Sequence, residues 1–225
     1  MQTYTPFSPF PKIPRLQRDC WITEKIDGTN AQLSIVLTDE LAEMPTNETP
    51  LGTTGPYTVF AGSRNKIITP SNDNHGFAKW AFDKLDELAF GLGSGRHYGE
   101  WWGSGIQRGY RLREKRFSLF NTGRWNEASD AHICVATKWC AESKAEVEVW
   151  TKPAPACCHV VPVIYKGLFC TERVQEAIED LRAYGSSAAR GYMNPEGVVV
   201  YHVAANAYFK QTLQHDAEPK GKVKG

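Results

Sequence analysis

Apolar and polar residues alternate along Ala31-Gln32-Leu33-Ser34-Ile35-Val36, the pattern of a half-buried strand, and Trp21-Ile22-Thr23-Glu24-Lys25 reads as a second strand just before it. Residues 39 to 56, rich in Pro, Thr, Gly and acids, predict an exposed loop, followed by a strand at Tyr57-Thr58-Val59-Phe60. Phe77, Ala81, Leu85 and Leu88 share one helical face, so a helix is predicted over 74–90, capped by Asp73 or Asn74 and ended by Gly91 and Gly93. A second helix is predicted over 172–184, with Thr171 as cap, Val174, Ile178 and Leu181 as the buried stripe, and Gly185 as the stop. Further strands are predicted at 98–102, 116–121, 145–150, 160–165, 197–203 and 207–211. Many strands and two long helices indicate an α+β class. We expect a single domain over 1–215 and a basic, disordered tail over 216–225.

Composition narrows the function more than the fold. The 225 residues are 41% hydrophobic, 23% charged and 12% aromatic, with no apolar run near the roughly 20 residues that a membrane span needs. The N-terminus lacks a basic start followed by an apolar core, so no secretory leader and no membrane role are expected, and a cytoplasmic protein is. A formal net charge of only +1 means that any polyanion must be held by a local patch. The best one is Arg108, Arg111, Arg113, Lys115 and Arg116, directly after a glycine-rich stretch, with a second cluster at Lys220, Lys222 and Lys224. Cys134, Cys140, Cys157 and Cys158, with His132 and His159, contain no C-x-x-C pair, and free thiols are expected in place of a zinc site.

The candidate chemistry lies in Glu24-Lys25-Ile26-Asp27-Gly28-Thr29-Asn30, where a lysine precedes a glycine by three positions between two strands. Lys25 at a strand end is a candidate amine nucleophile towards a nucleotide α-phosphorus, and Gly28 permits close backbone approach. Alone, the stretch more often describes a solvated hairpin than a catalytic site. It is followed in one order by Ser63-Arg64-Asn65, Tyr98-Gly99-Glu100-Trp101-Trp102-Gly103, Phe117-Ser118-Leu119-Phe120-Asn121, Pro195-Glu196-Gly197-Val198-Val199-Val200 and Tyr208-Phe209-Lys210-Gln211-Thr212.

This ordered set resembles the covalent nucleotidyltransferases, the superfamily of polynucleotide ligases and mRNA capping enzymes. Within it the chain looks most like the ATP-dependent RNA ligases that seal duplexed RNA, a group common in phages, and the likeness runs from about Trp21 to Thr212. The resemblance implies an adenylation domain of antiparallel sheets with flanking helices and an ATP-grasp-like core. Because 13 residues follow Thr212, no C-terminal OB-fold is expected.

The resemblance also implies the roles. Lys25 is the nucleophile that carries AMP; Glu196 organises the catalytic metal; Lys210 is a cation near the α-phosphate; Glu100 binds the ribose; Phe120 stacks on adenine while Phe117 packs in the core; Arg64 meets phosphate or the accepting end; Glu24 flanks the adenine. Asn30 favours RNA ligases over DNA ligases and capping enzymes, which generally carry arginine there. ATP and Mg2+ are the expected cofactors, with Mn2+ able to substitute. The partner is RNA with 5′-phosphate and 3′-hydroxyl ends, bound by a monomer through Arg108, Arg111 and Arg113. Relatives often carry a second lysine in the last motif; Thr212, Lys220 or Lys222 stands for it here. Two alternatives remain: an ATP-dependent DNA ligase, and a nucleic-acid-binding module without catalysis.

Overall fold

The pairing of alternating strands is what builds the molecule, seen in a computed structural model that describes residues 7–42, 47–127, 134–140 and 145–214. In chain order the elements are β1 (Asp19–Lys25), β2 (Thr29–Leu37), α1 (Thr38–Ala42), β3 (Gly52–Thr54), β4 (Tyr57–Ser63), β5 (Ile67–Ile68), α2 (Phe77–Asp83), α3 (Leu85–Leu92), β6 (Gly95–Gly103) and β7 (Lys115–Leu119). There follow β8 (Trp125–Asn126), β9 (Cys134–Cys140), β10 (Ala145–Trp150), β11 (Lys152–Pro153), β12 (His159–Val160), β13 (Val163–Leu168), α4 (Thr171–Tyr184), β14 (Gly197–His202) and β15 (Ala207–Thr212).

Two sheets carry the architecture. The larger runs β12-β7-β6-β2-β4-β3, with β5 on β4; the smaller runs β13-β1-β14-β15. Pairing is antiparallel except for β12 on β7 and β11 on β8, so the fold is a mixed one dominated by antiparallel sheet.

Each sheet buries one face on helix. Ala31, Leu33 and Ile35 of β2, Val59 and Ala61 of β4, and Trp101, Phe117 and Leu119 form one core with Phe77, Ala81 and Leu88. Phe77 and Trp80 pack against Trp101 and Phe117 with ring centroids 5.0 to 5.8 Å apart, which gives this core a dense aromatic centre. Cys20, Ile22, Val198 and Val200 of the smaller sheet pack on Val174, Ala177, Ile178 and Leu181 of α4, the stripe read from the sequence. Because side chains alternate along a strand, the opposite faces, carrying Thr23 and Lys25 on one sheet and Asn30 and Glu100 on the other, are left to line a cleft.

Three expectations change. The predicted loop 39–56 contains α1 and β3. The helix predicted over 74–90 is two helices, because Lys84 leaves helical geometry (φ −116°, ψ 19°) and α3 turns towards β3, with Leu85 against Gly52. Asp73 does serve the start, accepting from the amides of Ala78 and Lys79 at 2.8 and 3.0 Å. In α4 the cap position belongs to Cys170 and not Thr171, which is already the first helical residue. Among the described residues Cys20, Cys157, Cys158 and Cys170 are free thiols, no three His, Cys, Asp or Glu side chains converge as a metal cage, and no helix is long and apolar enough to cross a membrane. His132, Lys220, Lys222, Lys224 and the tail 216–225 lie outside the described residues.

Candidate active site

Lys25 ends β1 and Glu196 precedes β14, and the ladder between these strands places Lys25 opposite Gly197. The Lys25 ammonium and the Glu196 carboxylate form a direct ion pair, with the carboxylate side chain only 4% exposed. Gly197 lets β15 close on β14: at φ 154° a Cβ there would lie 2.1 Å from the Gln211 carbonyl oxygen. Gly28 has the same function on the other strand, since its Cβ would lie 2.5 Å from the Trp101 carbonyl oxygen. Its amide donates to Glu100 Oε1 at 3.0 Å, which brings the second glutamate to the nucleophile turn.

The two glutamates differ electrostatically. Burial pushes the Glu100 carboxyl up to about 7, against the opposing pull of Lys25 and of the Gly28 amide, while Glu196 and Asp27 add repulsion. Near neutral pH Glu100 is therefore divided between a form that only accepts hydrogen bonds and one that also donates. Glu196, with a lysine on its oxygen, is held as an ion pair.

The turn itself is braced from below. Arg108 Nε donates to Asp27 Oδ2 at 3.0 Å and its Nη1 to the Asn194 carbonyl at 3.0 Å, while the Asp27 amide donates to the Tyr110 hydroxyl at 2.9 Å. Arg108 thus ties the β1–β2 turn to the segment before Glu196.

Above the turn the two sheets enclose a cleft of about 530 Å3, the size of a small-molecule site. It brings together Lys25, Glu24, Asn30, Arg64, Glu100 and Phe120 from the sequence-derived set. Phe117 is fully buried in the core, as expected. Lys210 is exposed on β15 opposite Val199, which lines the cleft, so it stands on the cleft side at the rim. Thr212 lies opposite Gly197 and hence in the row of Lys25 itself. Arg111 and Arg113 are exposed outside the cleft.

Glu24 has a task that its position in the motif did not reveal. Its Oε1 accepts from the Ser186 hydroxyl at 2.6 Å and its Oε2 from the amides of Ser187 and Ala188 at 2.8 and 2.9 Å, so the side chain clamps the loop after α4. Burial raises its pKa although those three bonds oppose the shift. What remains for a ligand is its backbone. The sequence reading missed the cleft residues Arg96, Tyr98, Arg124 and Tyr208. Tyr98 was legible in hindsight, two positions before Glu100 on the same strand face; Arg124 sits in an irregular turn with no periodic signal.

An amine, two glutamates and arginines thus line a cleft between the two sheets, a set of groups suited to an anionic ligand. The family model for RNA ligase matches residues 18–213, and the chain belongs to that family. No curated protein matches in sequence. Among solved structures, a Naegleria gruberi RNA ligase in apo form shows 16% identity and a TM-score of 0.48, over 88% of this chain and 50% of its own. Variants of a Naegleria gruberi RNA ligase with ATP and Mn and with AMP and Mn show 15% and 16% identity and TM-scores of 0.48 and 0.47, over 88% and 87% of this chain and 51% and 49% of theirs. The chain spans about half the length of these structures.

Proposed function

We propose that the protein is an ATP-dependent RNA ligase working through a lysyl-AMP intermediate on Lys25. Lys25 Nζ attacks the α-phosphorus of ATP and pyrophosphate leaves; AMP passes to an RNA 5′-phosphate; a 3′-hydroxyl then attacks that phosphate and expels AMP. The observation that carries this reading is the pairing of Lys25 with Glu196 at the cleft between the sheets. Membership of the RNA ligase family supports it.

Glu196 orients the amine at the end of β1, and the amine must leave this carboxylate to reach phosphorus. Glu100, half-protonated near neutral pH, suits ribose hydroxyls that both donate and accept. Phe120 offers a half-buried aromatic face to the base, and Arg64 and Lys210 lie where phosphate charge would collect. The oxygen-only carboxylate of Glu196 fits Mg2+ or Mn2+, which bind through one or two carboxylates plus phosphate oxygens and do not need a full protein cage. When bound, the ion neutralises phosphate charge.

Asn30 favours RNA over DNA ends and the phage-type branch that seals duplexed RNA. The free thiols of Cys20, Cys157, Cys158 and Cys170 among the described residues are in keeping with a reducing cytoplasm. Arg111 and Arg113 meet the RNA backbone of a monomeric enzyme in this reading, which their exposure supports.

The test is incubation with radiolabelled ATP or GTP and Mg2+. Covalent label from ATP and not GTP is expected, none on Lys25→Ala, and this variant should still seal pre-adenylylated nicked RNA better than nicked DNA. Full labelling of Lys25→Ala overturns the mechanism.

A further inference from the structure

Next to the nucleotide cleft, across Val161 and Trp125, lies a second cavity of about 650 Å3. It continues through Arg116, Ser187 and Ala188 into a third of about 530 Å3. Adenylyl transfer as described above uses neither.

The third cavity gathers Arg111, Arg116 and Arg190. Arg116 is paired with Glu114, but Arg111 and Arg190 are exposed and have no acidic partner among the described residues. Arg111 closes a run of three left-handed residues, Gly109, Tyr110 and Arg111, with φ of 65°, 49° and 55°. Such a run is costly outside glycine and persists only where its surroundings impose it. Here Tyr110 imposes it: the ring is buried between Trp102 and Tyr192, with centroids at 4.9 and 4.6 Å, and the hydroxyl holds the Asp27 amide. The strained turn presents Arg111 at the cavity wall.

In the second cavity the half-buried Trp21 ring lies under the Lys166 ammonium, 4.4 Å from its centroid. Trp21 is on β1, four residues before Lys25. An indole face with a cation over it, continuous with an arginine-lined basin, matches a nucleobase followed by phosphodiesters.

We propose that the two cavities form one groove for an unpaired RNA strand, with phosphates at Arg111 and Arg190 and a base against Trp21 beside Lys166. The assignment rests on the ligase reading and adds an unpaired stretch of strand next to the duplexed ends that the ligase joins. Tyr110 makes the groove contiguous with the nucleophile turn, so a strand bound there lies one side chain from Asp27.

The experiment measures binding of a labelled single-stranded RNA, and of the blunt duplex of the same sequence, across a salt series by the full chain and by Arg190→Ala, Lys166→Ala and Trp21→Phe, with covalent labelling by ATP followed in parallel. Arg190→Ala should bind the single strand roughly 10-fold more weakly, with the salt slope reduced by about 0.7 for the phosphate contact removed, while Lys166→Ala should lose affinity at the base. Trp21→Phe, which keeps an aromatic face, should bind within a few-fold of the parent, while Trp21→Leu should lose affinity without a change in slope. Unchanged single-strand affinity in Arg190→Ala and Lys166→Ala overturns the groove. So does a loss confined to the duplex, which would make these residues ordinary backbone contacts. If the parent chain takes no label from ATP yet the variants lose single-strand binding, the ligase reading fails and the groove stands.

Discussion

The two walls of the cleft solve the same problem, a buried glutamate beside a lysine, in opposite ways. On the smaller sheet Glu196 is neutralised by direct contact with Lys25. On the larger sheet Glu100 accepts from the Gly28 amide, its one hydrogen-bond partner among the described residues, and burial lifts its pKa to about 7. The packing behind each wall fits the difference: Glu100 stands on a rigid aromatic core, whereas Glu196 stands before a strand packed on the single helix α4. One wall fixes charge and the other leaves protonation adjustable.

Removing the charged wall should have the larger effect. Glu196→Ala is expected to slow covalent labelling by on the order of 10²-fold or more, by analogy with other preorganised electrostatic contacts, without loss of fold. Labelling at limiting Mg2+ measures it, and a near-parental rate would remove Glu196 from the site. The contrast sharpens at the brace below the turn. Arg108→Ala breaks a half-buried contact to Asp27 and should slow labelling by roughly 10-fold, the scale of one charge-assisted hydrogen bond. Arg111→Ala combined with Arg113→Ala should instead act on RNA affinity and on its salt dependence. Equal effects of the two sets on labelling would dissolve the distinction between brace and surface.

The adjustable wall should show itself most gently, in the pH dependence of stability. The Glu100 carboxyl releases its proton near 4.5 when unfolded and near 7 when folded, so between these values the folded chain holds the extra proton. Its contribution is therefore fully present below about 4.5 and is lost as pH rises through about 7. Glu100→Gln should remove this slope, so that Tm falls less between pH 5 and 7.5 than in the parent. Glu24, raised in the same direction, leaves a residual slope of the same sign in both chains. An unchanged slope would mean that Glu100 is solvated like an ordinary carboxylate.

Periodicity carried far along this chain. The β1–β2 pair, the α4 stripe of Val174, Ile178 and Leu181, and the strands ending at His202 and Thr212 were all readable, because alternation and helical spacing report which face is buried. The break at Lys84 was not, since Phe77, Ala81, Leu85 and Leu88 keep helical spacing across it and only the need to meet β3 bends the path. Nor was the cap of α4 readable, because Thr171 is the better capping residue and tertiary geometry set the start one residue earlier.

By itself the sequence determined which chemical groups are present and in what order: Lys25 three before Gly28, Glu100 before two tryptophans, Glu196 before a valine strand. Only the tertiary structure decided which of them meet. Arg108 and Glu24 read as an RNA contact and a nucleotide contact, yet one braces Asp27 and the other clamps the loop at Ser186 to Ala188. Glu100 and Glu196 are the same residue type, yet burial raises the Glu100 pKa while Glu196 pairs with a lysine 171 positions away in the chain. Periodicity reports burial, a property of one segment, whereas ion pairing and desolvation depend on distances across the cleft that sequence spacing does not encode.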